Sequence, residues 1–163
     1  MLFRSPRHGD ALVVLGGILL RLKRFADAKE RLRAARRLMP GRPDVAMTLG
    51  LAEMALGNGA EAERLCREAA QAAPAWADAH SNLGYVLRMQ GRDEEAEAAC
   101  RQALALTPDH AEALINLGTL AQNRQAQAEA RENFERALRA RPGHVEARFG
   151  LAETAIAAGQ IDE

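Results

Sequence analysis

Four histidines, two cysteines, one tyrosine and five scattered asparagines are the side chains here whose types invite a chemical reading. Histidine and cysteine bind transition metals or supply a nucleophile and its base, and either role needs them gathered at motif spacing. His8, His80, His110 and His144 are scattered instead, with no nucleophile, base and orienting acid recurring in a glycine-marked turn. A phosphate-cradling loop and a paired metal-binding His motif are also lacking. The expectation is a protein that is not an enzyme and uses no metal or cofactor, its histidines serving the surface or packing. Cys66 and Cys100 stand in line with Leu32 and Phe134, so they read as small hydrophobes in an apolar column. Equivalent sites on successive packed helices lie about 10 Å apart, beyond the roughly 7 Å that a disulfide spans between Cα atoms. Free thiols then point to a reducing, cytoplasmic compartment.

What remains is hydrogen-bonding and soft apolar chemistry, carried by Asn82, Tyr85, Arg88 and Asn116 together with Met47 and Met54. Asparagine amides can hold an extended peptide by its backbone whatever its sequence, and thioethers adapt to imprecise apolar partners. Such groups are useful only on a scaffold that lines them up.

The scaffold is written in a period of 34: Pro40, Pro74, Pro108 and Pro142 keep it, and Pro6 extends it backwards. Gly16, Gly50, Gly84 and Gly118 keep it too, as do Leu15, Leu49, Leu83, Leu117 and Leu151. Two alanine columns complete the register, Ala28, Ala62, Ala96 and Ala130, then Ala35, Ala69, Ala103 and Ala137. With 48% hydrophobic residues but only 4% aromatics, the chain has enough apolar surface to fold and favours helices over strands. Each unit therefore reads as two antiparallel helices, a first from about Asp44 to Leu56 and a second from about Ala60 to Ala72, the others following at the same period. Small residues let the backbones approach, leucine fills the space beside them, and proline ends the second helix. Gly57-Asn58-Gly59, Gly91 and Gly159 mark the turn within a pair; the fourth unit, lacking glycine near Asn123-Arg124-Gln125, must use Asn123 or another non-glycine residue. Asp10, Asp44, Asp78, Glu112 and Glu146 oppose the dipoles of the first helices.

These columns resemble the tetratricopeptide repeat family, whose Leu-Gly pair is seen in Leu49-Gly50, Leu83-Gly84 and Leu117-Gly118, over residues 9–163. The aromatics common early in the family's first helix are replaced by Leu12, Ala46, His80, Leu114 and Arg148, and Ala152 stands where glycine is expected. The fold class implied is all-α, a right-handed superhelical solenoid of antiparallel helix pairs. Its repeats fall at 9–42, 43–76, 77–110 and 111–144, followed by a first helix of a fifth at 145–163 acting as cap. Residues 1–8 read as the remnant of a preceding helix or an extension.

The resemblance also implies a concave groove lined by first helices. Its rows are Val13, Val14, Gly17 and Leu20; then Met47, Thr48, Leu51 and Met54; then Ser81, Asn82, Tyr85, Arg88 and Met89. Ile115, Asn116, Thr119, Gln122 and Asn123 form the fourth, and Phe149, Glu153 and Ile156 the last, a surface apolar early and polar late. The peptide-binding residues expected are Met47, Leu51, Met54, Asn82, Tyr85, Arg88, Met89, Asn116, Thr119, Gln122 and Asn123. Met47 and Met54 are equally open to packing within the stack. Asn82 and Asn116 precede Leu-Gly as in the asparagine ladder of repeat arrays attached to O-linked N-acetylglucosamine transferases, whereas the basic clamp of chaperone-binding members is not apparent.

The function expected is a non-catalytic scaffold that binds a protein or peptide segment in the groove. A second reading is the substrate-recruiting arm of a larger enzyme, such as a glycosyltransferase or sulfotransferase. The third is a self-assembling scaffold, because the first helix carries Leu12, Val13, Leu15, Ile18 and Leu19 nearly all round. Residues 1–42 hold 11 Lys/Arg against 3 Asp/Glu and the remainder 11 against 19, so +8 is followed by −8, an asymmetry that can steer a head-to-tail contact. Nucleic-acid binding is disfavoured by a total charge of zero and a groove without rows of cations. The apolar run from Ala11 to Leu20 imitates a signal-peptide core, but Arg21, Lys23 and Arg24 separate it from the cleavage-like Ala26-Asp27-Ala28. It is also far shorter than the roughly 20 residues a membrane span needs.

Overall fold

The computed structural model describes residues 6–159, in which nine helices follow one another without a strand. They are α1 (Pro6–Arg21), α2 (Phe25–Leu38), α3 (Pro43–Ala55), α4 (Gly59–Ala72), α5 (Ala77–Met89), α6 (Asp93–Leu106), α7 (Ala111–Asn123), α8 (Gln127–Ala140) and α9 (Val145–Ala157). The second helices are amphipathic: α4 buries Ala62, Leu65, Cys66 and Ala69, one stripe at helical spacing, and leaves its charged face to solvent. First helices bury more of their circumference, as α5 does with Ala79, Ser81, Leu83, Gly84, Val86 and Leu87, because neighbours close on them from several sides.

Each first helix packs on its own second helix, each second helix on the first helix of the next unit, and consecutive first helices also touch. That last row of contacts sets the first helices on the inner side of the arc. The structure is thus a solenoid of helix pairs, with each unit supported by its neighbours. The close approach inside a pair depends on the glycine column. A Cβ on Gly50 would sit 2.9 Å from Cys66 Sγ and 3.1 Å from the Ala62 carbonyl, one on Gly84 would collide with Cys100 Sγ, and one on Gly118 would enter the Phe134 ring. Phe134 is large for a column otherwise filled by Leu32, Cys66 and Cys100, and Gly150 of the following helix makes room on its other side.

Turns between units are built on proline. Trp76 N–H donates to the Ala73 carbonyl, His110 N–H to Thr107 and His144 N–H to Arg141, each spanning a tight turn with Pro74, Pro108 or Pro142 as second residue. Turns within units place a left-handed residue after the first helix: Lys23 (φ 57°), Gly57 (81°), Gly91 (73°), Gln125 (61°) and Gly159 (66°). In the first four units the next residue donates back five positions, as Arg24 does to the Leu19 carbonyl and Ala126 to Ala121, which satisfies the open end of the helix. The fourth unit uses Gln125, one of the non-glycine residues expected there. The first unit differs from the expectation: it too lacks glycine, forcing Lys23 into a conformation that costs an L-residue about 1 kcal/mol. In addition, α1 begins at Pro6, so residues 6–8, expected to precede the first repeat, form its first turn. Residues 1–5 of the expected N-terminal remnant, and residues 160–163 of the expected cap, lie outside the described part.

Candidate functional site

The inner surface carries two adjoining cavities. The first, about 270 Å³, is lined by Leu51, Ser81, Asn82, Tyr85, Arg88, Glu112, Ile115, Asn116, His144 and Glu146. The second, about 370 Å³, is lined by Arg88, Ile115, Thr119, Gln122, Phe134, Val145, Glu146, Phe149, Gly150 and Glu153. Arg88, Ile115 and Glu146 belong to both, so the two form one continuous trough along α5, α7 and α9. Successive first helices deliver these side chains because positions one period apart face the same way.

Of the residues read from the sequence, Leu51, Asn82, Tyr85, Arg88 and Asn116 meet in the first cavity, and Thr119 and Gln122 join Arg88 in the second. Met47 and Met54 are half-buried and packed on the core, which favours the packing alternative for both. Met89 and Asn123 are exposed and line neither cavity.

The polar side chains are already engaged. Asn116 is only 6% exposed; its Nδ2 donates to the Ser81 carbonyl at 3.4 Å and its Oδ1 accepts from Arg88 Nε at 3.3 Å. Asn82 Nδ2 donates to the Asp78 carbonyl (2.8 Å) and to Met47 Sδ (3.2 Å), leaving Oδ1 without a partner among the described residues. The guanidinium of Arg88 lies 5.6 Å from the Tyr85 ring centroid, a cation–π distance. Gln122 donates to the Gly150 carbonyl (3.0 Å) and Thr154 Oγ (2.9 Å), tying α7 to α9.

Two corrections concern the groove's character. The late end is apolar as well as polar: Val145, Phe149 and Ile156 are 71%, 64% and 64% exposed there, while at the early end Val14 is 63% exposed and Met47, Leu51 and Met54 are half-buried. The charge asymmetry is partly spent inside the molecule, since Lys29 and Arg33 of α2 reach Glu53 of α3 (2.8 and 3.2 Å) and Arg36 reaches Glu68 of α4 (2.8 Å). Burial pushes the Glu53 carboxyl up, but hydrogen bonds from Lys29 and Asn58 and the charges of Lys29 and Arg33 outweigh it and hold the group below the ordinary range.

Glu112, His144, Val145 and Glu146 also line the trough, and the sequence does not single them out for it. Its two acids read there as dipole partners only. A signal was available: Arg42, Trp76, His110 and His144 keep the period and sit at the N-caps of α3, α5, α7 and α9. From there Arg42 reaches Asp10 (3.0 Å) and His110 reaches Asp78 (3.1 Å) of the preceding unit, while His110 Nδ1 accepts from Ala113 N–H at 3.3 Å.

Cys66 and Cys100 are buried free thiols, each pushed up to about 12 by burial, which leaves them protonated and unreactive at neutral pH. Among the described residues no three His, Cys, Asp or Glu side chains are grouped to hold a metal ion, and no helix is long and apolar enough to cross a membrane.

A helical-repeat solenoid with an inner trough is the class that fold and site define. Two family models described as tetratricopeptide repeat match residues 19–84 and 77–143, and the chain belongs to that family. It is similar to TTC0263, a thermophilic protein of these repeats from Thermus thermophilus, at 26% identity and a TM-score of 0.83, over 95% of this chain and 85% of that one. Pseudomonas aeruginosa PilF is 25% identical with a TM-score of 0.79, over 93% and 69% of the two chains. The hetero-tetramer of Cut9 and Hcn1 from the APC/C contains a chain 19% identical, with a TM-score of 0.77 over 90% of this chain and 29% of that one, a likeness of fold alone. No curated protein matches the chain in sequence. Repeats of this family mediate protein–protein interaction, and such solenoids do so through their extended concave surfaces.

Proposed function

We propose that the chain is a non-catalytic scaffold that receives an extended peptide segment in the trough running along α5, α7 and α9. The observation that carries this is the continuity of the two cavities through Arg88, Ile115 and Glu146, which suits a strand of peptide rather than a compact small molecule. Tyr85, Asn82 and Arg88 supply its polar floor, and Phe149 with Val145 an apolar late wall. Because the Asn82 amide nitrogen is committed to Asp78 and Met47, this side chain acts as an acceptor for peptide N–H through Oδ1. Asn116 serves differently, as the buried post against which Arg88 is set.

A displayed library of random dodecapeptides selected on the full chain tests this reading. Peptides that bind wild type and are lost on Tyr85→Ala/Asn116→Ala support it; peptides retained by that variant but lost on outer-face substitutions at Arg64 and Arg67 overturn it.

A second reading, self-association, is favoured by the apolar residues exposed on both end helices, Val14, Leu15 and Ile18 on α1 with Leu22 just after it, and Val145, Phe149 and Ile156 on α9. Sedimentation as a monomer at both low and high salt removes it.

A further inference from the structure

Among the described half-buried arginines, Arg36 pairs with Glu68 (2.8 Å), Arg67 with Glu63 (2.9 Å), and Arg92 with Glu63 and Glu95 (both 2.6 Å), while Arg136 has no carboxylate and gives its terminal NH₂ to the Pro108 carbonyl (3.0 Å). Arg88 has neither kind of partner for its terminal NH₂ groups among the described residues. It is half-buried at the junction of the two cavities, yet no carboxylate lies within ion-pair distance of it among the described residues. Its fixed contacts are Nε to Asn116 Oδ1 at 3.3 Å and one face of the guanidinium over Tyr85 at 5.6 Å. Those contacts orient the group from two helices and leave both terminal NH₂ groups without a hydrogen-bond partner among the described residues. Ordering an arginine costs side-chain entropy, and a planar fork already held in one orientation loses little more when it grips an anion with both NH groups.

The anion is not supplied by the acids nearby. Three acids line the trough, none within ion-pair distance of Arg88: Glu112 is bonded to Arg141 (2.5 Å), Glu146 lies 3.0 Å from His144 Nδ1 without a hydrogen bond, and Glu153 is exposed in the second cavity. Their presence in the same wall also selects among ligands: a doubly charged phosphate is repelled more than a single carboxylate. The trough continues past Arg88 on both sides, through Leu51 and Asn82 one way and Thr119 and Phe149 the other, which places the anion along a chain rather than at its terminus.

We propose that Arg88, set by Tyr85 and Asn116, is the specificity-determining subsite of the trough and takes the side-chain carboxylate of an aspartate or glutamate inside an extended peptide. This rests on the groove reading above and adds the chemistry of its central contact.

The test uses random dodecapeptides fused at their C-terminus, so that no free terminal carboxylate is present, selected on the full chain. A selected peptide is then made with both ends blocked and its affinity measured by fluorescence anisotropy. Selected peptides are expected to share Asp or Glu at one register position. Replacing that residue by its amide and replacing Arg88→Gln should each weaken binding about tenfold, and together no further than either alone, because both remove one contact. Arg88→Lys should recover part of the loss. Peptides that lose binding on Leu51→Ala/Phe149→Ala, yet share no acid and ignore Arg88→Gln, overturn the carboxylate subsite while leaving the groove reading intact. Failure to select any peptide, or binding indifferent to Leu51→Ala/Phe149→Ala as well, overturns both.

Discussion

Leu15 of α1 and Leu83 of α5 occupy the same position of the repeat, yet one is 40% exposed and the other 8%. Of the rest of the column, Leu49 and Leu117 are buried at 3% and 6%, and Leu151 of α9 is half-buried. Beside them Ile18 is exposed where its equivalents Ala52, Val86 and Leu120 are buried. The central units have a preceding second helix to cover this face, and among the described residues α1 has none. A repeat residue is therefore core or surface according to its neighbour, not according to its type, and a solenoid's stability is a sum over such neighbours.

The sharpest way to break that comparison is a matched pair of truncations. Leu83→Ala should cost about 2–5 kcal/mol by leaving a cavity, and Leu15→Ala less than about 1 kcal/mol, both read from chemical denaturation. Equal losses would mean that α1 is covered in solution. Glycines offer a second pair: Gly84→Leu should cost about 1–3 kcal/mol by overpacking against Cys100 and the Ala96 carbonyl. Gly17→Ala, where an added Cβ meets nothing, should instead stabilise α1 by about 0.5–1 kcal/mol through helix propensity. Thermal melts of the two variants should shift in opposite directions.

The turns give a smaller effect. Lys23→Gly and Gln125→Gly should each stabilise by up to about 1 kcal/mol, since glycine adopts the left-handed conformation without a Cβ clash. Gly91→Ala should destabilise by a similar amount.

A last contrast is in pH. Glu53 lies where the later seams carry Leu87 and Ala121, so at that position of the repeat the α2–α3 seam alone among the described ones holds a fully buried carboxylate, 1% exposed. Its folded pKa is lowered, so its contribution is full above the unfolded value of about 4.3 and is lost as pH falls through the lower folded value. Amide exchange at that seam should accelerate below about pH 4 while α5 stays protected, and Glu53→Gln should remove the difference.

The columns of glycine, alanine, leucine and proline are legible because each is one steric contact repeated at a fixed period, and both helix ends and the order of packing follow from them. What escapes the sequence depends on pairing across units. Lys23 carries no mark of a left-handed turn; only its place one period before Gly57 reveals it. Glu53 is an ordinary helical acid until α2 is laid against it. The groove is half legible. Tyr85, Arg88 and Asn116 converge as the repeat phase requires, but Met47 and Met54 turn toward the core. The acids Glu112 and Glu146 lean into the trough from helix ends, where a dipole role is enough to account for their type.

Native-state hydrogen exchange, resolved by residue on dilute protein, tests most directly whether neighbours decide stability along the stack. Protection is predicted to peak in α4 to α7 and to fall toward α1 and α9, with the end helices opening well before the centre. Amides of α1 as protected as those of α5 would contradict it.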